Sequence, residues 1–339
     1  MMDEFRPPWW LRNRHLQTFL GTRGEADRVS AGTLVHRVPT SDGESLALHE
    51  DSPSDPLSSD RPTVLLIHGL AGCHQSGYIV RIGHALFQAG WRVLRLDMRG
   101  CGAGEQWAHK PPHAGLTSDV GDTLAYIATR YAPQKLGLVG FSLGGNLVLK
   151  FLGELGRGAH RLTSEQIGLK YAISVSPPIE LSLAADLMEQ GTGKLYTAYF
   201  MKLLQQQLRG KLELWEAWRE QAARVGIERV LRTIREFDDA YTAPLAGFAS
   251  AADYYQKSSG RQFLDSIQVR CDLLVAKDDP IVPFASYAGL GVGERWLKNA
   301  AGQMVVMPYG GHLGFIERTR PYQRWMDRWV VSRLVQVFQ

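Results

Sequence analysis

The stretch Leu136-Gly-Leu-Val-Gly-Phe-Ser-Leu-Gly-Gly-Asn-Leu-Val-Leu-Lys150 decides how the rest of the chain is read. Leu136 to Val139 is a short apolar run suited to a strand, and from Asn146 onward the apolar residues take helical spacing. Between them lies Gly140-Phe141-Ser142-Leu143-Gly144, a G-x-S-x-G turn. Such a turn carries the chain sharply from strand to helix and lifts a serine hydroxyl clear of the sheet edge. Glycines are needed where side chains would collide across so tight a turn. The helix that follows directs its positive end at the serine. By itself the pattern is weak, since a chain of this length and composition should hold about 0.2 such matches by chance. Its partners must be sought elsewhere.

The 339 residues, 45% of them apolar, can bury a large core, either as two domains or as one α/β domain with an insertion. A net charge of +4, from 38 basic and 34 acidic residues without a dense basic run, argues against a nucleic-acid partner. Uninterrupted apolar runs fall far short of the ~20 residues a membrane helix needs. The sequence opens without a charged-then-apolar leader. Cys73, Cys101 and Cys271 are few, odd in number and widely spaced, which suits a reducing compartment and offers neither a disulfide framework nor zinc spacing. A cytoplasmic protein is expected.

Residues 1–28 form an arm whose core is FRPPWWLRNRHLQTFLG, starting at Phe5. Pro7 and Pro8 keep its start extended. Trp9, Trp10 and Leu11 are costly to leave in water, so the arm should wrap its own domain or a partner. With Arg12 and Arg14 interleaved, weak membrane-surface contact is the competing use. Next, two strand-like runs from Thr33 to Glu50 flank Ser41-Asp42-Gly43, a hairpin signal. A polar, proline-rich loop covers Asp51 to Asp60.

Thr63-Val-Leu-Leu-Ile67 is a strand of the kind buried on both faces of a parallel sheet, leading into His68-Gly-Leu-Ala-Gly72. A helix over Ser76–Ala89 presents Ile79, Ile82, Ala85 and Leu86, and ends at Gly90. A strand at Trp91–Leu96, a helix at Ser118–Tyr131, the elbow strand and a strand at Tyr171–Val175 follow. From Ile179 to Gly260 the rhythm breaks. Helical stripes take over, among them Tyr196, Tyr199, Phe200, Leu203 and Leu204, then Ile227, Val230, Leu231, Ile234 and Phe237. Alternation resumes with Leu273–Ala276, running into Lys277-Asp278-Asp279-Pro280, and with Met304–Met307, running into Pro308-Tyr-Gly-Gly-His312. A closing helix spans Pro321 to Phe338.

This order implies an α/β fold: a mostly parallel, doubly wound sheet with an inserted helical cap. The core occupies 29–178 and 261–339, and the cap 179–260.

A serine alcohol needs a base to take its proton as it attacks, and a histidine does this best when a carboxylate fixes its tautomer. Chains with such an elbow carry the acid and then the histidine downstream of the serine. Ser142, Asp279 and His312 each follow a strand at its C-terminal end, where doubly wound sheets hold their sites. Asp278 competes with Asp279. Asp279 is preferred because Pro280 biases it to extended backbone, leaving Asp278 to hydrogen-bond the loop. Oxyanion donors should be the N–H groups of Leu143, next after the serine, and Leu70, although the run here is His-Gly-Leu and not His-Gly-Gly-Gly. His68 should hydrogen-bond loop backbone, and His113 and Asp119 should support the site loops. Gly100-Cys-Gly-Ala-Gly104 and Gly191-Thr-Gly-Lys194 lack the spacing of nucleotide-binding loops, and no HExxH or CxxC occurs. No cofactor or metal is expected.

These segments resemble the α/β-hydrolase superfamily, and more closely its YheT-like branch. The likeness rests on Pro7-Pro-Trp-Trp-Leu-Arg-Asn-Arg-His-Leu-Gln-Thr18, His68–Gly72, Gly140–Asn146, Phe237-Asp-Asp-Ala-Tyr-Thr-Ala-Pro-Leu-Ala-Gly-Phe248 and Asp278-Asp-Pro280. It implies a triad of Ser142, Asp279 and His312. Because the branch includes esterases, phospholipases and medium-chain ester synthases, it also implies acyl-ester chemistry on a small-molecule substrate. Hydrolysis of short- to medium-chain acyl esters is the leading expectation. Ester synthesis or lipid-ester cleavage at membranes, and a catalytically silent binding scaffold, are the competitors. Dehalogenase and epoxide-hydrolase relatives are disfavoured, since the elbow carries Ser and not Asp.

Overall fold

The computed structural model describes residues 5–22, 32–52, 59–226, 230–290, 297–319 and 322–338. Helix α1 (Arg14–Thr22) opens it, and a hairpin of β1 (Leu34–Pro39) and β2 (Ser45–Asp51) follows, turning through Gly43 at φ +88°. The core then runs β3 (Thr63–Ile67), α2 (Gly77–Gln88), β4 (Arg92–Asp97), α3 (Thr117–Tyr131), β5 (Leu136–Phe141), α4 (Leu143–Gly156) and β6 (Leu169–Val175). Between β6 and β7 the described chain is helical: α5 (Leu181–Met188), α6 (Gly193–Leu214), α7 (Glu216–Val225), α8 (Ile234–Phe237), α9 (Ala243–Leu245) and α10 (Ala251–Ser258). The chain closes with β7 (Arg270–Ala276), β8 (Met304–Met307), a small ribbon of β9 (Ile316–Thr319) and β10 (Tyr322–Arg324), and α11 (Trp325–Phe338).

Eight strands form one sheet in the order β1-β2-β4-β3-β5-β6-β7-β8, parallel except where β2 meets β1 and β4. Alternate side chains of β3 enter opposite layers. Leu65 and Ile67 join a core with α3 and α4, while Val64 and Leu66 join one with α2 and α11. That two-sided burial is why the strand reads as a continuous apolar run. The chain leaves β3 toward β4 and returns past it to β5, so the strand order reverses between β3 and β5. A crevice opens at their C-terminal ends.

Several local expectations are corrected. On α2, Ile79, Ile82, Gly83 and Leu86 are buried but Ala85 is exposed. Helix α4 begins at Leu143, earlier than Asn146, directly after the turn. The closing helix starts at Trp325, because Tyr322–Arg324 pair with β9 and the Trp325 N–H donates to Phe315 O. The stripe from Ile227 to Phe237 is split. Residues 227–229 lie outside the described residues, Val230 is 71% exposed, and α8 begins only at Ile234. There the Thr233 hydroxyl accepts the Glu236 N–H while the Glu236 carboxylate accepts the Thr233 N–H. This reciprocal cap starts a new helix and overrides the apolar period.

Close approach explains the elbow glycines. A Cβ on Gly144 would stand 2.4 Å from His68 O and 2.6 Å from Ile67 O, both backbone atoms of the β3 end. Gly144→Ala should therefore lower the unfolding free energy by about 1–3 kcal/mol in urea denaturation. Unchanged stability would mean that α4 and the β3 loop do not meet so tightly.

Candidate active site

Four loops meet over the crevice, after β3, β5, β7 and β8. The first carries His68, whose Nδ1–H donates to Gly69 O (2.8 Å) while Nε2 accepts the Met98 N–H (3.0 Å). Burial lowers its pKa, so it sits as a neutral strut between the loops after β3 and β4. The Gly69 N–H is taken by the Tyr78 hydroxyl (2.9 Å). Leu70 follows, and both Leu70 and Leu143 line the cavity that contains Ser142.

Ser142 occupies φ 52°, ψ −120°, a sparsely populated conformation for a residue with a side chain. Its N–H donates to Val175 O (2.8 Å), pinning the turn to the end of β6. Leu143 is the first residue of α4, so its N–H has no intrahelical acceptor.

Asp279 and His312 converge on this serine. Asp279 Oδ1 accepts the N–H groups of Ile281 (2.8 Å) and Val282 (2.9 Å), leaving Oδ2 for His312 Nδ1 at 2.8 Å. A carboxylate only accepts, so Nδ1 carries the proton and Nε2 is the acceptor that faces Ser142 Oγ at 2.9 Å. Both Asp279 and His312 are 6% exposed. Asp278 takes the place expected of it: its Oδ1 accepts the Gly311 N–H (2.9 Å), and burial raises its pKa. Asp119 forms a two-pronged ion pair with buried Arg99, at 2.5 and 3.0 Å, behind the loop after β4.

The arm is the part of the site whose role the motifs did not reveal. Its α1 lies against the His312 loop. The Thr18 hydroxyl accepts the His312 N–H (2.9 Å) and donates to Arg14 O (2.8 Å). The Gln17 amide donates to Leu11 O and Ile316 O and accepts the Ile316 N–H (2.7 Å). Packing is tight enough that a Cβ on Gly311 would stand 2.5 Å from Arg14 O. Phe5 is buried against Phe315 and Trp325. The arm thus wraps its own domain through Phe5 and Leu11, while Trp9 and Trp10, expected to be costly to leave in water, stay 80% and 42% exposed. Gln17 and Thr18, polar residues set among Leu16, Phe19 and Leu20, were the available signal.

The cavity above Ser142 is largely apolar, walled by Met98, Leu181, Phe200, Leu204, Trp218 and Phe237, most of them from helices between β6 and β7. His113 also lines it. Its Nδ1 accepts the Gly115 N–H (3.2 Å), and burial, aided by Lys150 and Arg99, pushes its pKa down to about 3.

Among the described residues one group could offer three metal ligands: His49, His74 and Asp97. The two imidazoles stack 3.5 Å apart at 14°. Their ring nitrogens, His49 Nε2 and His74 Nδ1, both meet Asp97 Oδ2, at 3.0 and 2.9 Å. Burial opposes ionisation of Asp97, but the bonds from His49 and His74 outweigh it and hold the carboxyl well below its usual range. The cluster anchors the loop after β3, since the His74 N–H also donates to Asp97.

Comparison with known proteins agrees with this fold. Residues 62–319 match the family model described as alpha/beta hydrolase fold. The chain is 28% identical over 326 residues to YheT of Escherichia coli, covering 96% of this chain and 91% of that protein. It is 26% identical over 307 residues to phospholipase ABHD3 of Homo sapiens, covering 88% of this chain and 70% of that protein. An esterase of Pyrococcus furiosus shares the fold with a TM-score of 0.56 at 16% identity, covering 90% of this chain and 92% of that one.

Thr18→Val should leave the buried His312 N–H without its acceptor and cost about 1–3 kcal/mol of stability, while Thr18→Ser should restore most of it; equal denaturation midpoints for the two variants would remove Thr18 from this role. In a histidine NMR titration, His113 should stay neutral as the pH falls through 6.5 and protonate only near about 3. The folded state then binds fewer protons than the unfolded state across that window. The stability it contributes is complete above the unfolded pKa and is lost on acidification toward the folded value.

Proposed function

The chain belongs to the alpha/beta hydrolase fold family, and on that premise we propose that it is a serine carboxylic-ester hydrolase acting on short- to medium-chain acyl esters. The hydrogen-bonded series Asp279–His312–Ser142, ending at an apolar cavity, carries the reading. The residues 179–260 serve as the cap that walls the acyl group.

In this mechanism Ser142 Oγ attacks the ester carbonyl while His312 Nε2 takes its proton. Asp279 holds the imidazole in the tautomer that accepts and stabilises the imidazolium that forms. Negative charge developing on the carbonyl oxygen is met by the N–H groups of Leu143 and Leu70, fixed in advance by the helix start and by the loop after β3. The Gly69 N–H is engaged by the Tyr78 hydroxyl, which leaves the next residue, Leu70, to donate. His312 then passes its proton to the departing alcohol, leaving an acyl group on Ser142. A water molecule, deprotonated by His312, attacks that acyl-enzyme. The acid departs and Ser142 regains its proton.

Ser142→Ala should lower kcat on p-nitrophenyl esters by at least about 10⁴-fold, abolish labelling by a fluorophosphonate and leave the far-ultraviolet circular dichroism unchanged. Asp279→Asn should cost about 10³–10⁴ in kcat, and Asp278→Asn far less. Turnover surviving in the Ser142 variant would refute the mechanism. A wild-type chain inert to a broad ester panel and to the probe would make it a binding scaffold.

A further inference from the structure

Half of the large apolar side chains exposed among the described residues lie on the arm and at the start of α6. Trp9 is 80% exposed and Trp10 42%, and Phe19 on α1 is 56% exposed. On the first turns of α6, Leu195 is 71% exposed and Tyr199 53%. These two elements are joined. His15 of α1 stacks on Tyr196 of α6 with centroids 5.9 Å apart, and its Nδ1 lies 2.9 Å from the Tyr196 hydroxyl. His15 and Phe19 share one face of α1, and Leu195 and Tyr199 share one face of α6, by i,i+4 spacing.

The charged side chains of these two segments are all cationic. Arg12, Arg14, Lys194 and Lys202 are exposed, and neither the described arm, residues 5–22, nor residues 190–212 contains a single Asp or Glu. Rings and leucines set among cations, without an anion, suit the boundary of a lipid layer. There the aromatics sit at headgroup depth and the cations meet phosphates. Two-fold contact with a second copy would set these cations against their own kind.

We propose that α1, the Trp9-Trp10 turn and the start of α6 form a docking face for an anionic lipid surface. The contact is peripheral, since among the described residues no helix is long and apolar enough to cross a membrane. It stands independently of the ester reading but gives that reading a location. The inner side of α1 holds the His312 loop through Thr18. One residue beyond Tyr199, Phe200 lines the cavity above Ser142, so the same helix is both cavity wall and docking face.

Vesicle flotation with the full chain tests this, using Ser142→Ala protein so that turnover plays no part. The protein should float with vesicles containing phosphatidylglycerol at low salt, and stay behind with pure phosphatidylcholine or at high salt. Arg12→Gln and Lys194→Gln should each weaken partitioning by about fivefold. Leu195→Ser combined with Tyr199→Ser should weaken it by at least about tenfold. All four sites are exposed, and circular dichroism checks that the variants fold. Absence of flotation with the anionic vesicles, or binding that ignores these substitutions, overturns the proposal. So does self-association, measured by sedimentation, that the same substitutions disperse, since the face then belongs to a second copy. Flotation that persists while wild-type protein cleaves no ester would sink the ester reading and leave this one standing.

Discussion

Ser142 is held at φ 52°, ψ −120°, and the surrounding structure is arranged to keep it there. A backbone conformation of this kind costs of order 1–3 kcal/mol and persists only when its neighbours over-determine it. Here the Ser142 N–H is fixed to Val175 O at the end of β6. Gly69 lies so close that a Cβ would stand 3.0 Å from the Ser142 Cβ. Helix α4, with ten of its residues buried in the core, cannot shift to relieve the turn. The hydroxyl is thereby fixed at the mouth of the crevice before any substrate arrives.

A second constraint acts on the histidine. The loop from Gly310 to Phe315 has four residues at positive φ, and two of them, Leu313 and Phe315, are not glycine. Left to itself such a loop would relax. The arm prevents this with Gln17 and Thr18, which supply backbone-like hydrogen bonds to the loop from a helix nearly 300 residues away in sequence. The arm therefore has two faces with different chemistry. Its inner face orders the loop that positions His312, and its outer face carries exposed aromatics and arginines.

Legibility in the sequence followed the range of the interaction that decided each feature. Strand β3 was readable because burial on both faces leaves a continuous apolar run. The elbow was readable because its glycines answer a local steric demand. The preference for Asp279 over Asp278 came from the restriction that Pro280 places on its neighbour. In the structure Asp279 meets His312 while Asp278 binds the Gly311 N–H. By contrast, the division of the stripe ending at Phe237 turned on a cap at Thr233 that competes with periodicity, and β10 turned on pairing with a strand that periodicity does not see.

The order of strands, the serine turn and the candidate acid and base were thus determined by the sequence alone, because each rests on local sterics or on the period of burial. The tertiary structure alone decided the sheet order that reverses at β3 and β5, the cavity wall drawn from Phe200, Leu204 and Trp218, and the seating of the arm on the His312 loop. Those features depend on which surfaces meet across hundreds of residues. Contacts of that range are settled by packing and by the satisfaction of buried polar groups, neither of which leaves a periodic trace in the chain.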